Sequence, residues 1–261
     1  MGRLLKYELK GNYKVIGIIL VILIIVALGL NFKIGEWAET TIMGITSFAV
    51  FGALLSAFIY LVELFRKELY EDTGYLTFTL PITGNSIVGA KLLSSLIWIF
   101  VVGTIGGLLG LLNAKRAFGP YVRFGSIFTN QSFIMAVISG VASVVTVLLL
   151  IYFSITISRM TIRNKKVGGL WFIIFILLNV VIAYFRIKLI EWMPYYIDTN
   201  SWRIVKQGMN MVTDININGA MLQLSINGNV YLNIANIIFS IVLMVGLFLG
   251  TGYLLEKKID L

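Results

Sequence analysis

ELFRKELYEDTGYLTFTLPITGNSIVGAK, residues Glu63 to Lys91, is the one long charged segment wedged between two fully apolar runs. Thr41–Val62 precedes it and Leu92–Leu112 follows it, and neither run contains Asp, Glu, Lys or Arg. A helix needs about 20 mainly apolar residues to cross the ~30 Å hydrocarbon core of a bilayer. Each flank therefore reads as a membrane span and the charged segment as the loop joining them. Four further apolar runs, Val15–Phe32, Phe133–Ile157, Val167–Phe185 and Val230–Leu255, bring the spans to six. None alternates, and all are too long for strands.

Composition agrees. The chain has 261 residues, 59% hydrophobic and only 13% charged, and its mean hydropathy is +0.93. A soluble domain carries about a quarter charged residues. The expected fold class is an all-α membrane protein with six transmembrane helices, one transmembrane domain over residues 1–261. Thirteen of the 21 Lys and Arg residues fall on the side that holds both termini, mostly in short loops. The positive-inside bias places that side in the cytoplasm. Lys14 and Lys33, at the ends of the short first run, can reach the headgroups. The net charge of +9 is accounted for by cations flanking spans rather than by nucleic-acid binding. The sequence has no Cys and no His. That excludes thiolate chemistry and removes the commonest general base and metal ligand.

Before the first run, Arg3, Lys6, Lys10 and Lys14 share one helical face. Two readings stay open: a short interfacial helix, residues 1–14, on the inner leaflet, or a plain topology signal. A basic start before an apolar core also resembles a secretory signal, but five more spans favour an uncleaved anchor. The absence of ionisable residues inside the runs argues against an ion-coupled transporter or proton relay, and no nucleophile–base set is present for a membrane hydrolase. Small residues recur four apart at Gly103/Gly107, Gly106/Gly110, Gly246/Gly250 and Ala49/Ala53/Ala57, spacing that lets helix backbones approach, within one subunit or between two. Asn179, Asn233 and Asn236 are the notable amides in the spans, candidates for helix–helix bonds or for a substrate path.

The longest non-apolar segment, Arg186–Asn229, is expected outside. Asn218-Gly219 between alternating flanks signals a hairpin, so a small extracellular hairpin or cap between spans 5 and 6 is expected; a loop with no role in substrate handling is the alternative. Gly84–Lys91 imitates a P-loop but lacks Lys directly after the second Gly, and Pro81 stands where a strand should precede it.

Within Glu63–Thr83, six of the ten residues to Asp72 are charged, four of them acidic. Glu63 and Lys67 are spaced to pair. Leu61, Leu64, Phe65, Leu69 and Tyr70 form an apolar stripe, Thr73-Gly74 breaks the helix, and Leu80-Pro81 forces an extended or turning backbone. An amphipathic element of this size at the inner surface can seat in a partner's groove.

ELYEDTGYLTFTLPIT followed by AKLL resembles the first cytoplasmic loop of ABC-2-type permeases of Gram-positive bacteria. In that family the loop commonly reads Leu-Tyr-x-Asp-x-Gly-Tyr-Leu-Thr-x-Thr-Leu-Pro, with Lys-Leu-Leu entering the next span. Leu69, Tyr70, Asp72, Gly74, Tyr75, Leu76, Thr77, Thr79, Leu80, Pro81, Lys91, Leu92 and Leu93 stand in matching places. The motif covers about a tenth of the chain, and the six-span layout agrees with the family over the rest. The resemblance implies an exporter permease in a bacterial cytoplasmic membrane. It would dimerise with a second copy or a related permease and pair with two separate ATPase subunits that bind ATP and Mg. This chain itself would bind no cofactor and hydrolyse nothing. Leu69–Pro81 would be the coupling helix, with Glu68, Glu71 and Asp72 as polar contacts to the ATPase. Apolar spans suit a hydrophobic or amphipathic cargo: a peptide toxin, a bacteriocin or a lipid-like molecule. The rivals are a non-transporting sensor or immunity protein that recruits the same ATPase, an ion-coupled secondary transporter, and, weakest, a membrane enzyme.

Overall fold

The computed structural model describes residues 2–70, 83–119, 131–161, 169–199, 202–206, 215–218, 221–226 and 229–257. Six helices carry the fold: α1 Gly2–Asn31, α2 Glu39–Tyr70, α3 Gly84–Phe118, α4 Gln131–Thr161, α5 Leu170–Trp192 and α6 Ile234–Lys257. All six contain a stretch long and apolar enough to cross a membrane. The first five are longer than their apolar runs because further turns, most of them carrying charge, continue the helices. Residues 1–14 form no separate helix. From Gly2 onward they are the first turns of α1, with no Pro to interrupt the backbone and the one Gly after Gly2, Gly11, tolerated inside the helix.

The chain divides into two compact units. One comprises Met1–Glu68 and Gly89–Phe124, the other Leu69–Val88 and Gly125–Leu261.

In the first unit α1, α2 and α3 meet along Ile16, Leu23, Ala53, Ala57 and Val102. The alanines let the backbones close up, as the four-residue spacing foretells. Gly106 lies against Val50 and Leu23, whereas Gly107 and Gly110 face open space. α1 turns into α2 through Gly35, whose φ of +95° is left-handed and suits a residue without Cβ.

Polar layers close both ends of this apolar section. At one end Lys91 meets Glu8 and Glu68, and the Tyr60 hydroxyl donates to Asn12 Oδ1 at 3.2 Å. At the other, Asn31 Nδ2 donates to Asn113 Oδ1 at 2.6 Å, Asn113 Nδ2 to Thr46 Oγ1 at 3.0 Å, and Arg116 Nη1 to Asn31 Oδ1 at 2.8 Å. Along each helix the two layers are about 33 Å apart at the α-helical rise, close to the ~30 Å hydrocarbon thickness. The amides Asn31 and Asn113 sit where they bond across helices rather than in the apolar middle.

The second unit holds α4, α5, α6 and a five-stranded antiparallel sheet of order β2-β1-β5-β4-β3. Its strands are β1 Tyr195–Asp198, β2 Ile204–Lys206, β3 Ile215–Asn218, β4 Met221–Ile226 and β5 Asn229–Asn233. α4 supplies the interior, with Leu148, Leu149, Tyr152 and Ile155 buried. Its buried Ser154 and Thr156 donate to the carbonyls of Leu150 and Tyr152, which satisfies their hydroxyls inside the helix.

Two boundaries differ from the sequence reading. α5 does not stop at Phe185; it continues through Arg186 and Lys188 to Trp192, supported by a Lys188–Glu191 pair at 2.7 Å. It ends at Met193 because Pro194 disfavours helical backbone before it. The last apolar run begins as strand β5, since Val230, Tyr231 and Leu232 favour a pleated surface, and α6 starts only after Asn233. In the region of the hairpin signal β3 pairs with β4, with Asn218 opposite Met221; residues 219–220 lie outside the described residues. β4 and β5 pair with Ile226 opposite Asn229; residues 227–228 lie outside the described residues.

Candidate functional site

The segment that carries the loop motif joins α2 to α3. Of the twelve residues expected to face a partner, Glu68, Leu69 and Tyr70 are described. Glu71, Asp72, Gly74, Tyr75, Leu76, Thr77, Thr79, Leu80 and Pro81 lie outside the described residues.

α2 carries its apolar stripe through to this point. Leu61, Phe65 and Leu69, one turn apart, are all buried, while Leu64 and Tyr70 are half-buried. Glu63 pairs with Arg66, at 2.5 and 2.6 Å, rather than with Lys67. The guanidinium's two parallel donors match a carboxylate better than a single ammonium does, and Lys67 remains exposed.

Within the first unit, Glu68 turns inward. Its Oε1 accepts from Lys91 Nζ, and the same ammonium donates to Glu8 Oε1 at 2.8 Å. Lys91 is only 4% exposed. One cation thus joins three helices, α1 through Glu8, α2 through Glu68 and α3 through itself. Glu68 Oε2 is buried with no hydrogen-bond partner among the described residues, and the cluster holds two carboxylates to one ammonium. A buried pair of this kind is strongly destabilising to break because an uncompensated charge remains.

Within the second unit, both flanks of the loop are anchored. The Tyr70 hydroxyl donates to Ser158 Oγ at 3.0 Å, and the Arg159 guanidinium lies 5.5 Å from the Tyr70 ring centroid, within cation–π range. On the far flank Thr83 opens α3. Its carbonyl accepts the Ser86 and Ile87 amides, and its hydroxyl bonds Ser86 Oγ at 2.9 Å. The Gly84 amide donates to Glu256 Oε2 at 3.2 Å, placing a carboxylate at a helix N-terminus, where the dipole favours it. A Cβ on Gly84 would lie 2.1 Å from the Gly252 carbonyl oxygen, so α3 and α6 touch backbone to backbone here. Gly84–Lys91, the P-loop imitation, is the helical start of α3 and forms no phosphate cradle.

The three amides proposed for a substrate path have different local settings. Asn179 is exposed on α5 and donates to Phe175 O in its own helix at 2.9 Å. Asn233 caps α6: its Oδ1 accepts the Asn236 amide at 2.9 Å, the usual N-cap to third-residue bond, and its Nδ2 donates to Met193 O at 3.1 Å. Nearby, burial pushes the Tyr196 phenol up from its ordinary range and a bond to Asn233 partly offsets this. Asn236 is fully buried, and its carboxamide has no partner among the described residues.

Sequence reasoning missed Glu8 and the role of Lys91, which it read as the end marker of a span. A signal was present. Glu8 is the one acid among four cations before the first span, and it lies off their shared face. Among the described residues no three His, Cys, Asp or Glu side chains come together as metal ligands.

The six apolar helices define the class, a multi-pass membrane protein. No family model, curated protein or solved structure matches the chain.

Proposed function

We propose that this chain is the permease subunit of an ATP-driven exporter of the ABC-2 type, coupled to two separate ATPase subunits through the segment Leu69–Pro81. The observation that carries the reading is the motif ELYEDTGYLTFTLP placed between two membrane helices. The anchoring of Tyr70 on α4 and of Gly84 on α6 supports it, since a handle transmits force only if its roots are held. ATP binding brings the ATPases together, their motion displaces the loop, and the permease dimer rocks between inward and outward states. The cargo is a hydrophobic or amphipathic molecule, a peptide toxin, bacteriocin or lipid-like compound, moved across a bacterial cytoplasmic membrane with both termini inside.

A Tyr75→Asp change tests this. In the reconstituted complex it is expected to abolish ATPase pairing or cargo-stimulated ATP hydrolysis while membrane insertion and folded yield stay at wild-type levels. Full stimulation and transport in Tyr75→Asp would remove the loop from the mechanism. Pairing without any cargo accumulation in wild-type vesicles would instead favour a sensor or immunity role.

A further inference from the structure

We propose that Lys91, held between Glu8 and Glu68, is the joint through which movement of the loop reaches helix α1. The proposal rests on the coupling-loop reading and extends it to the N-terminal helix, which the loop motif itself does not touch.

Glu68 stands just before the loop and Lys91 one to two turns into the helix that follows it. Their contact ties the two ends of the loop together. The same ammonium also holds Glu8, and with it α1. Lys91 donates to both carboxylates at once, yet there are two of them for one cation, and Glu68 Oε2 is left buried with no partner among the described residues. Neighbouring cations offer no substitute. Arg66 on α2 is engaged by Glu63, and Lys67 is exposed. On α1, Arg3, Lys6 and Lys10 are all exposed, away from the buried face that holds Asn12. A displacement of Glu68 therefore redistributes the hold of Lys91 on Glu8, in surroundings where charge–charge interactions are stronger than in water. The result is a joint between α2, α3 and α1 that responds to what happens at Glu68.

The absence of native cysteine makes a clean probe. Tyr7, 72% exposed on α1, is replaced by cysteine and spin-labelled in the assembled complex with its ATPases. In the wild-type background the label's mobility is expected to change between the nucleotide-free state and the state trapped with a non-hydrolysable ATP analogue. In Lys91→Gln that response is expected to fall about tenfold. Glu8→Gln, a milder change should Lys91→Gln fold poorly, should cut the response as well. Lys91→Arg keeps a cation between the two carboxylates while altering the packing, and should retain the response, which a role in packing alone would not allow. An undiminished response in both single variants overturns the joint. So does a wild-type label that ignores nucleotide in a complex whose coupling still depends on Tyr75, and in that case the coupling loop stands. If the complex shows no dependence on Tyr75 either, the loop reading and the joint fall together.

Discussion

Gly252→Leu and Gly84→Leu are expected to abolish the folded protein, while Gly246→Leu, on another face of α6, is tolerated. At Gly84 an added methyl carbon would sit 2.1 Å from the Gly252 carbonyl oxygen. At Gly252 it would sit 1.8 Å from Asn85 Oδ1 and 2.9 Å from the Asn85 amide nitrogen. Side-chain ends can swing aside, but backbone cannot without moving a helix. Forcing extra carbons into a packed contact costs about 1–3 kcal/mol and occasionally more, and leucine adds four where even one does not fit. The same shift would pull the Gly84 amide from Glu256 and the start of α3 from its seat. Gly246 has no neighbour within 4 Å of an added Cβ, so its replacement meets space or lipid. Folded yield and thermal midpoint in mild detergent measure the difference. A wild-type midpoint for Gly252→Leu would show that α3 and α6 do not make this contact.

Lys91→Met is the second large effect, expected to lower stability by about 3–5 kcal/mol, the usual consequence of removing one partner of a buried ion pair. Methionine fills much of the lysine's volume, so the loss is one of charge. Glu8 and Glu68 would then face each other with no cation between them, 12% and 19% exposed. Neutralising both should recover most of the loss, since a buried ion cluster replaced as a whole by uncharged groups is often neutral or better. Lys91→Met with Glu8→Gln and Glu68→Gln should accordingly melt close to wild type. A triple variant no more stable than Lys91→Met alone would mean the lysine acts through packing and not through its charge.

Six helices were legible because apolar content over about 20 residues is a one-dimensional signal. Their ends were not. Beyond Phe185 the helix continues through Arg186 and Lys188, and charged residues at helical spacing look from sequence like a loop. The sheet was half visible. Asn218-Gly219 announced a hairpin in the region where β3 and β4 pair, but their register, with Asn218 opposite Met221, depends on cross-strand pairing. The site divides in the same way. The loop motif is read directly from consecutive residues. The Glu8–Lys91–Glu68 cluster is not, because its members are far apart in sequence and meet only once α1, α2 and α3 pack. Asn233 has a local role that its sequence position alone does not reveal. An amide at the head of a helix serves the backbone first, and Asn233 accepts the Asn236 amide as the cap of α6.

The central claim is that this membrane protein is driven by separate ATPases through its first loop. Purification of the tagged chain from its native membrane in mild detergent, with ATP hydrolysis measured in the eluate, tests it most directly. The account predicts a co-purifying protein with a complete Walker A sequence, hydrolysis that rises with cargo, and loss of both from the Tyr75→Asp preparation. A chain that moves its cargo into vesicles alone, with no nucleotide-hydrolysing companion, would contradict it.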